Sequence, residues 1–586
     1  MHTILLLAAL TGLDLPAVFT DHMVLQRERP IVVWGRATPG AIVSVRLGDG
    51  DPQQSTTGSD GAWRVQLPAE AASTDPRTLH ITGDGDERAI NDVLVGEVWL
   101  CGGQSNMEWT VNGSSDPDAE RTRAAARTTI RVIKVPHTLA GAPAFTAQAA
   151  WRTCTPGTVG DVTAVGWSMA TELQDALGGV PIGLLDINWG GTRIEPWIDA
   201  GTLSSCPVTR DALARADEAA AGDPAKAGER DQRFAGMYNA MIAPFVPFGI
   251  RGAIWYQGES NAGEAEAYRT LLPALVSSWR RAFDRPQMPF GVVQLAAFMK
   301  PSDEPAQGGW AFLRDAQLEA AQRDPKVGLA VTIDVGDADD IHPRNKREVG
   351  RRLAMWALDA AYGRTPHPGA GPRVSCSPTS ASIDGASRRG IKVSFDGLGG
   401  ALSTRGGAAP DGFALAGADG RFVWASARLE PEGVFVWSPD VADPVAVRYA
   451  WSNNPTRANL IDGRGLTTDR TVPLRPAGAR SCLHRLDPDA ITGSAGEARF
   501  RGPHGPAATL ASPRGVAQFG RALALGARSR RFKSGRPDSM STLRIRIAVL
   551  LTIPLLLAAC GAPKRAVKTE QELLARRAQT QMFAGA

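Results

Sequence analysis

An α/β domain built on a parallel sheet, flanked by N- and C-terminal β-rich modules, is the fold class the sequence predicts, and three observations predict it. Apolar strand-like runs alternate with amphipathic helical stretches from about Leu94 to Gly363. Alternation of that kind indicates a parallel sheet covered on both faces. On either side the rhythm changes to short strand-like segments broken by turn residues. The length of 586 residues exceeds one domain and suggests three or four.

From Pro16 to about Val95, Ile31-Val-Val-Trp-Gly35, Ile42 to Leu47 and Trp63 to Leu67 read as strands, separated by turn material such as Thr38-Pro-Gly40 and Gly58-Ser-Asp-Gly61. Residues 14–96 are therefore expected to form a β-sandwich-like domain. In the central domain, residues 97–368, the expected strands are Val95–Leu100, Arg131–Val135, Ile182–Ile187, Arg251–Trp255, Phe290–Leu295 and Val327–Ile333. The expected helices include Met169–Leu177, Ala265–Phe283, Phe312–Arg323 and Lys346–Ala360. The stretch from Ala219 to Gly228 is expected to be a mobile surface insertion. Residues 369–478 alternate again, in Ile391–Phe395, Phe413–Leu415, Gly433–Trp437 and Val445–Trp451, and should form a second β-rich module.

Composition narrows the function. Hydrophobic residues make up 43% and charged residues 21%, with a net charge of +4, so the folded part implies neither nucleic acid nor an acidic partner. The six cysteines are widely spaced without a C-x-x-C pair, and none of the eight histidines forms an H-x-x-x-H pair. No metal and no cofactor is expected. Oligomeric state is not legible.

The two ends read differently. Residues 1–13 carry a short apolar run, Ile4 to Leu10, like the core of a secretory signal but without a basic leader or a clean cleavage site; a secreted or periplasmic protein is the expectation and a buried first strand the alternative. In residues 540–586, Arg544 and Arg546 precede an apolar run, Ile547 to Ala559, too short to span a bilayer. Leu557-Ala-Ala-Cys560 closes that run and resembles a bacterial lipobox. In residues 479–539, Val516 to Ala522 and Arg531 to Ser534 resemble conceptual translations of the arms of a transfer-RNA gene. The expectation is a frame read through into a neighbouring lipoprotein gene, so that residues beyond about 480 take no part in function; a C-terminal membrane anchor is the alternative.

The residues that carry chemistry lie at strand ends, where open parallel sheets bind ligands. Val98-Trp-Leu-Cys-Gly-Gly-Gln-Ser-Asn-Met-Glu-Trp109 runs from a strand into two glycines and presents Ser105. Asp186 to Trp197 runs into Gly190-Gly191, whose amides can face a crevice. Ile254 to Asn261 ends on an asparagine whose side-chain amide can donate to a developing oxyanion. Asp334 to His342 supplies the best-placed general base, His342, with Asp339 at Asp-x-x-His spacing and Asp337 and Asp340 crowding the same loop. His137 has no carboxylate near it in sequence. Taken singly, each element is equally served by a turn, a cap or a solvated loop; their order, each at a strand end, favours a hydrolase.

That order, Ser, Gly, Asn, Asp-x-x-His, is the block pattern of SGNH hydrolases. The strings GQSNMEW, NWGGTRIEPW, MYNAMIAPF with IWYQGESN, and DIHPRNKREVGRRLA resemble the sialate O-acetylesterase family over roughly residues 14 to 475. The resemblance implies an SGNH-type three-layer α/β/α domain and a serine esterase acting on O-acetylated carbohydrate through an acetyl-serine. Ser105 would be the nucleophile, His342 the base and Asp339 its acidic partner. The amides of Ser105 and Gly191 and the side chain of Asn261 would form the oxyanion hole, and Gln104, Trp189, Arg193, Gln257 and Glu259 would bind substrate. An acetyl xylan or other acyl-sugar esterase is the nearer alternative; a carbohydrate-binding protein on a retired hydrolase core is the more distant one.

Overall fold

Strand Asp86–Gly103 organises the molecule. In the computed structural model, residues 12–364, 373–396, 400–431 and 433–465 are described. Most of the N-terminal signal-like segment and all of the tail beyond residue 465 lie outside them. The N-terminal module contains β1 (Val24–Gln26), β2 (Ile31–Arg36), β3 (Ile42–Leu47), β4 (Gln53–Thr56), β5 (Ala62–Leu67) and β6 (Ser73–Gly83), followed by β7 (Asp86–Gly103). Strict alternation of buried and exposed residues in β5 shows one face on a core and one in water. The first half of β7 pairs antiparallel with β6, and β1 joins it in parallel. Its second half is buried throughout and enters the central sheet. One strand thus belongs to both sheets, across the boundary expected near residue 96.

The central sheet adds β8 (Ile130–Lys134), β9 (Trp151–Thr153), β10 (Ile182–Asn188), β11 (Gly252–Tyr256), β12 (Phe290–Val293) and β13 (Val327–Ala330), in the order β13-β12-β11-β7-β10-β8-β9. All pairs are parallel except β8 with the edge strand β9. From β7 the chain builds outward first through β8 and β10 and then, on the other side, through β11, β12 and β13. The switch point falls at β7, and ligands bind beyond the carboxyl ends of strands at such a point.

Period-two alternation divides the central side chains between two cores. Leu100, Ala253, Trp255 and Val292 face Leu272, Leu275 and Trp279 of α7 (Ala265–Ala282) and Leu313 and Ala316 of α8 (Gly309–Arg323). Trp99, Cys101, Val132, Leu184 and Ile254 face Val165 and Leu173 of α3 (Ala164–Ala176) and Leu353 and Trp356 of α9 (Lys346–Ala360). The shorter helices are α1 (Ser105–Glu108), α2 (Pro117–Ala124), α4 (Ala200–Ser205), α5 (Arg210–Ala220) and α6 (Pro224–Arg233). Of the segment expected as a mobile surface insertion, Ala219 and Ala220 end α5 and Pro224 to Gly228 begin α6. Pro224 opens α6 behind an Asp223 cap, and an Arg230–Asp217 ion pair at 2.8 Å ties the two helices together.

The C-terminal module is β-rich. A four-stranded antiparallel sheet lies beside a three-stranded one around Ile391, Val393, Phe413, Leu415, Val434 and Val447, and Ile333 of the central domain completes that core. Among the described residues no helix is long and apolar enough to cross a membrane.

Candidate active site

The turn after β7 is shaped by contact with β11. Gly103 has φ +143°, and a Cβ there would lie 2.2 Å from the carbonyl oxygen of Tyr256, its partner in register. Only glycine fits. The amide of Gln104 then donates to the same oxygen at 3.0 Å, and Ser105 opens α1. As a first-turn residue, Ser105 has an amide with no intrahelical acceptor.

Ser105 Oγ lies 2.9 Å from His342 Nε2 across 237 residues of sequence. The imidazole is stacked on Trp109, with ring centres 4.9 Å apart and planes 13° off parallel. Its loop is held from both ends. Asp334 bonds Arg352 of α9 through both oxygens at 2.7 and 2.8 Å and meets Arg405 of the C-terminal module at 3.3 Å. Asn345 caps α9 through the amide of Glu348.

The acidic neighbour of His342 is Asp340, not the expected Asp339. Asp340 Oδ1 accepts from the His342 amide at 2.8 Å and thereby sits 3.6 Å from Nδ1. An aspartate that caps the backbone two residues on is folded against that residue's ring, a local preference that the three-residue spacing does not reveal. The Asp339 amide instead donates to Asp337. Burial holds His342 below the usual imidazole range, helped by the charge of Lys346 and opposed by Asp340. The base therefore stays neutral to lower pH than a free imidazole. Asp340→Asn removes an opposing influence and should move the acid limb of kcat/KM further down in pH, with turnover about ten- to a hundredfold lower. Asp339→Asn should leave both unchanged. A pH-rate profile of the two variants checks this.

The glycine loop after β10 is fastened beside Ser105. Trp189 donates its amide to the Gly103 carbonyl at 3.1 Å, and Gly190 donates to Glu108 Oε2 at 2.6 Å. A Cβ on Gly190 would lie 3.3 Å from that of Ser105. With the Gly190 amide taken, Gly191, at φ +74° and with open space around it, follows directly at the rim of the site. Glu108 is held in turn by His137 Nε2 at 3.0 Å, and His137 stacks on Trp189 at 4.5 Å. His137 thus has a carboxylate, supplied by α1 rather than by its own loop. Glu108→Ala should cut kcat about ten- to a hundredfold by releasing this loop, while Glu108→Gln, which keeps an acceptor for Gly190, should recover most of it. Steady-state kinetics on an aryl acetate read both.

Asn261 is buried. Its Oδ1 accepts from the Ile194 amide at 3.1 Å and from Gln257 at 2.8 Å, and its Nδ2 donates to Glu195 at 3.3 Å. An amide nitrogen has two hydrogens, so one donor remains. Gln104 Oε1 accepts from the amides of Gly258 and Ser260, joining this turn to the residue before Ser105.

Gln104 Oε1 is engaged by those two amides, which leaves its Nε2 hydrogens available to a ligand. Two of the residues expected to bind substrate, Gln257 and Glu259, hold the scaffold instead. Gln257 is fully buried between Thr192, Asn261 and Tyr268. The Glu259 carboxylate accepts from Asn106 at 2.6 Å, with Oε2 buried. Trp189 and Arg193 do line a cavity, of about 450 Å³, beside Gly190 and Gly191. Its far wall comes from Glu229, Gln232 and Arg233 of α6. A larger groove, of about 590 Å³ between α7 and α8, is lined by none of the residues named in this site.

The chain is similar to known esterases in sequence and in fold. The chain is 32% identical over 391 residues to the sialate O-acetylesterase of Homo sapiens, covering 60% of this chain and 72% of the human protein. The chain belongs to the sialate O-acetylesterase family. The Mus musculus sialate O-acetylesterase is 31% identical over 414 residues, covering 60% and 74%. Residues 95–359 match the family described as carbohydrate esterase, sialic acid-specific acetylesterase. A carbohydrate acetylesterase from Xanthomonas citri superposes with a TM-score of 0.69 at 39% identity, covering 78% of this chain and 98% of that one. As a sialate O-acetylesterase family member the protein is a carboxylic ester hydrolase. The matched span takes in Ser105, Gly191, Asn261 and His342.

Proposed function

We propose that this esterase removes O-acetyl groups from carbohydrate through an acetyl-Ser105 intermediate. The observation that carries the reading is the 2.9 Å approach of Ser105 Oγ to His342 Nε2 at the switch point of the sheet. Ser105 Oγ attacks the acetyl carbonyl carbon while Nε2 takes its proton. Charge then develops on the carbonyl oxygen, facing the amides of Ser105 and Gly191 and the remaining Nδ2 hydrogen of Asn261. The tetrahedral species collapses, the carbon–oxygen bond to the sugar breaks, and the departing oxygen receives the proton from the imidazolium. Asp340 favours that imidazolium. Water, activated by the same ring, then releases acetate and restores Ser105.

The cavity beside Gly191 is where the sugar would sit, with Trp189 and Arg193 in its wall. Acetate release from O-acetylated sialosides and from acetylated xylan tests the reading and separates the two substrate classes. Release above the Ser105→Ala background from either supports it. Equal release by both proteins on every substrate would leave only a binding role.

A further inference from the structure

Lys346 stands at the first position of α9, where lysine ordinarily reaches water, yet it is fully buried. Its ammonium contacts Asn106 Oδ1 and lies 5.3 Å from the ring centre of Tyr256 and 6.0 Å from that of Trp109. The amide of Asn106 donates to Glu259 Oε1 at 2.6 Å and to the Ile341 carbonyl at 3.0 Å. The Asn106 side chain, held by Lys346, thus joins its own segment to two others of the site. Asn106 follows Ser105, Ile341 precedes His342, and Glu259 stands two residues before Asn261. An apolar side chain of similar volume would fill the place of Lys346 without the cost of burying a charge.

We propose that Lys346 is a positioning residue whose ammonium, anchored on Asn106 and balanced by Glu259, locks the loops carrying Ser105, Asn261 and His342 into one register. This rests on Ser105 and His342 being the reacting pair. The charged groups that face Lys346 are Glu259 from the turn after β11 and Asp340 from the histidine loop; both favour its protonated form, while burial brings it down to about 7. Burial likewise pushes the Glu259 carboxyl up. The contact with Asn106 survives either state of the amine, since an ammonium and a neutral amine both donate. The charge does not act only on geometry: it also disfavours protonation of His342, whose other charged neighbour is Asp340.

The test is kcat/KM for 4-nitrophenyl acetate from about pH 4 to 9 with the full chain. Lys346→Met should lower kcat about tenfold and move the acid limb up by about half a pH unit or more, because a positive neighbour of His342 is gone. A loss without movement of the limb would mark Lys346 as merely structural and overturn the inference. Should that variant not fold by circular dichroism, the Glu259 pair decides. Glu259→Ala, which strips Asn106 of one of its two acceptors, should lower kcat about tenfold with KM little changed, and Glu259→Gln should restore it to within about twofold. Equal loss in both, or none, overturns the inference while the Ser105–His342 reading stands. A Ser105→Ala control as active as the unaltered protein would defeat both.

Discussion

Ser105→Ala is expected to lower turnover of an aryl acetate by about 10⁴- to 10⁶-fold, with thermal stability unchanged. The two halves of that expectation have separate causes. Ser105 Oγ makes its hydrogen bond to His342 and is partly exposed, so its loss opens no cavity and strands no buried polar group. Chemically the loss is complete, because the acetyl group then has no oxygen to form a bond with. What survives is the contribution of the remaining donors and of binding, which is the same whichever member of the pair is removed. His342→Ala should therefore fall into the same range, and the double variant should be no slower than Ser105→Ala alone. Additive losses would mean that serine and histidine act in separate steps. Asn261→Ala makes a useful contrast. Losing one oxyanion donor costs about 10²- to 10³-fold, but Asn261 also holds Ile194, Gln257 and Glu195 from a buried position, so that variant should lose stability as well as rate.

The contrast between Ser105 and its supports shows how much of the site is legible in the sequence. Strand ends are legible, because apolar runs stopping at Gly102-Gly103, Gly190-Gly191 and Gly258 mark where backbone turns sharply. Helix Lys346–Ala360 is legible to its first residue from its amphipathic run, and Asn345 caps it there. The partner of His342 was not, because an Asx turn selects the aspartate two residues back while the motif spacing points to the one before it. Side chains that meet only in three dimensions leave no local mark. Glu108 reaches Gly190 over 82 positions and Asn106 reaches Glu259 over 153. Lys346 is hidden for a further reason: a lysine in the first turn of an amphipathic helix reads as a solvated residue. Its burial becomes visible only once Tyr256 and Trp109 are packed around it. The α6 wall of the cavity was concealed in the same way, by an alanine- and glycine-rich stretch that reads as loop and is ordered by Asp223, Pro224 and the Arg230–Asp217 pair.

The glycines flanking the nucleophile are expected to respond very differently to the same added methyl group. At Gly103 an alanine Cβ would meet the Tyr256 carbonyl oxygen at 2.2 Å and its carbon at 2.8 Å, at a φ of +143° that side chains rarely adopt. The obstruction is backbone in the next strand of a buried sheet, so no side chain can swing aside. Relief requires β7 and β11 to part, which loosens the Gln104–Tyr256 and Trp189–Gly103 bonds that set the turn. Overpacking and backbone strain together should cost about 2–4 kcal/mol of stability. Turnover should fall with it, because Ser105 rides on the end of β7 and its 2.9 Å approach to Nε2 depends on where that strand stops. At Gly191 the added Cβ meets nothing within 4 Å, and only the left-handed φ of +74° opposes it. That costs about 1–2 kcal/mol at most. Chemical denaturation of Gly103→Ala and Gly191→Ala, read beside their aryl-acetate kinetics, should give a large loss of stability in the first and a small one in the second. Equal, small losses would mean that β7 and β11 do not hold Ser105 through this contact, and that the nucleophile is placed from α1 and its Glu108 tether instead.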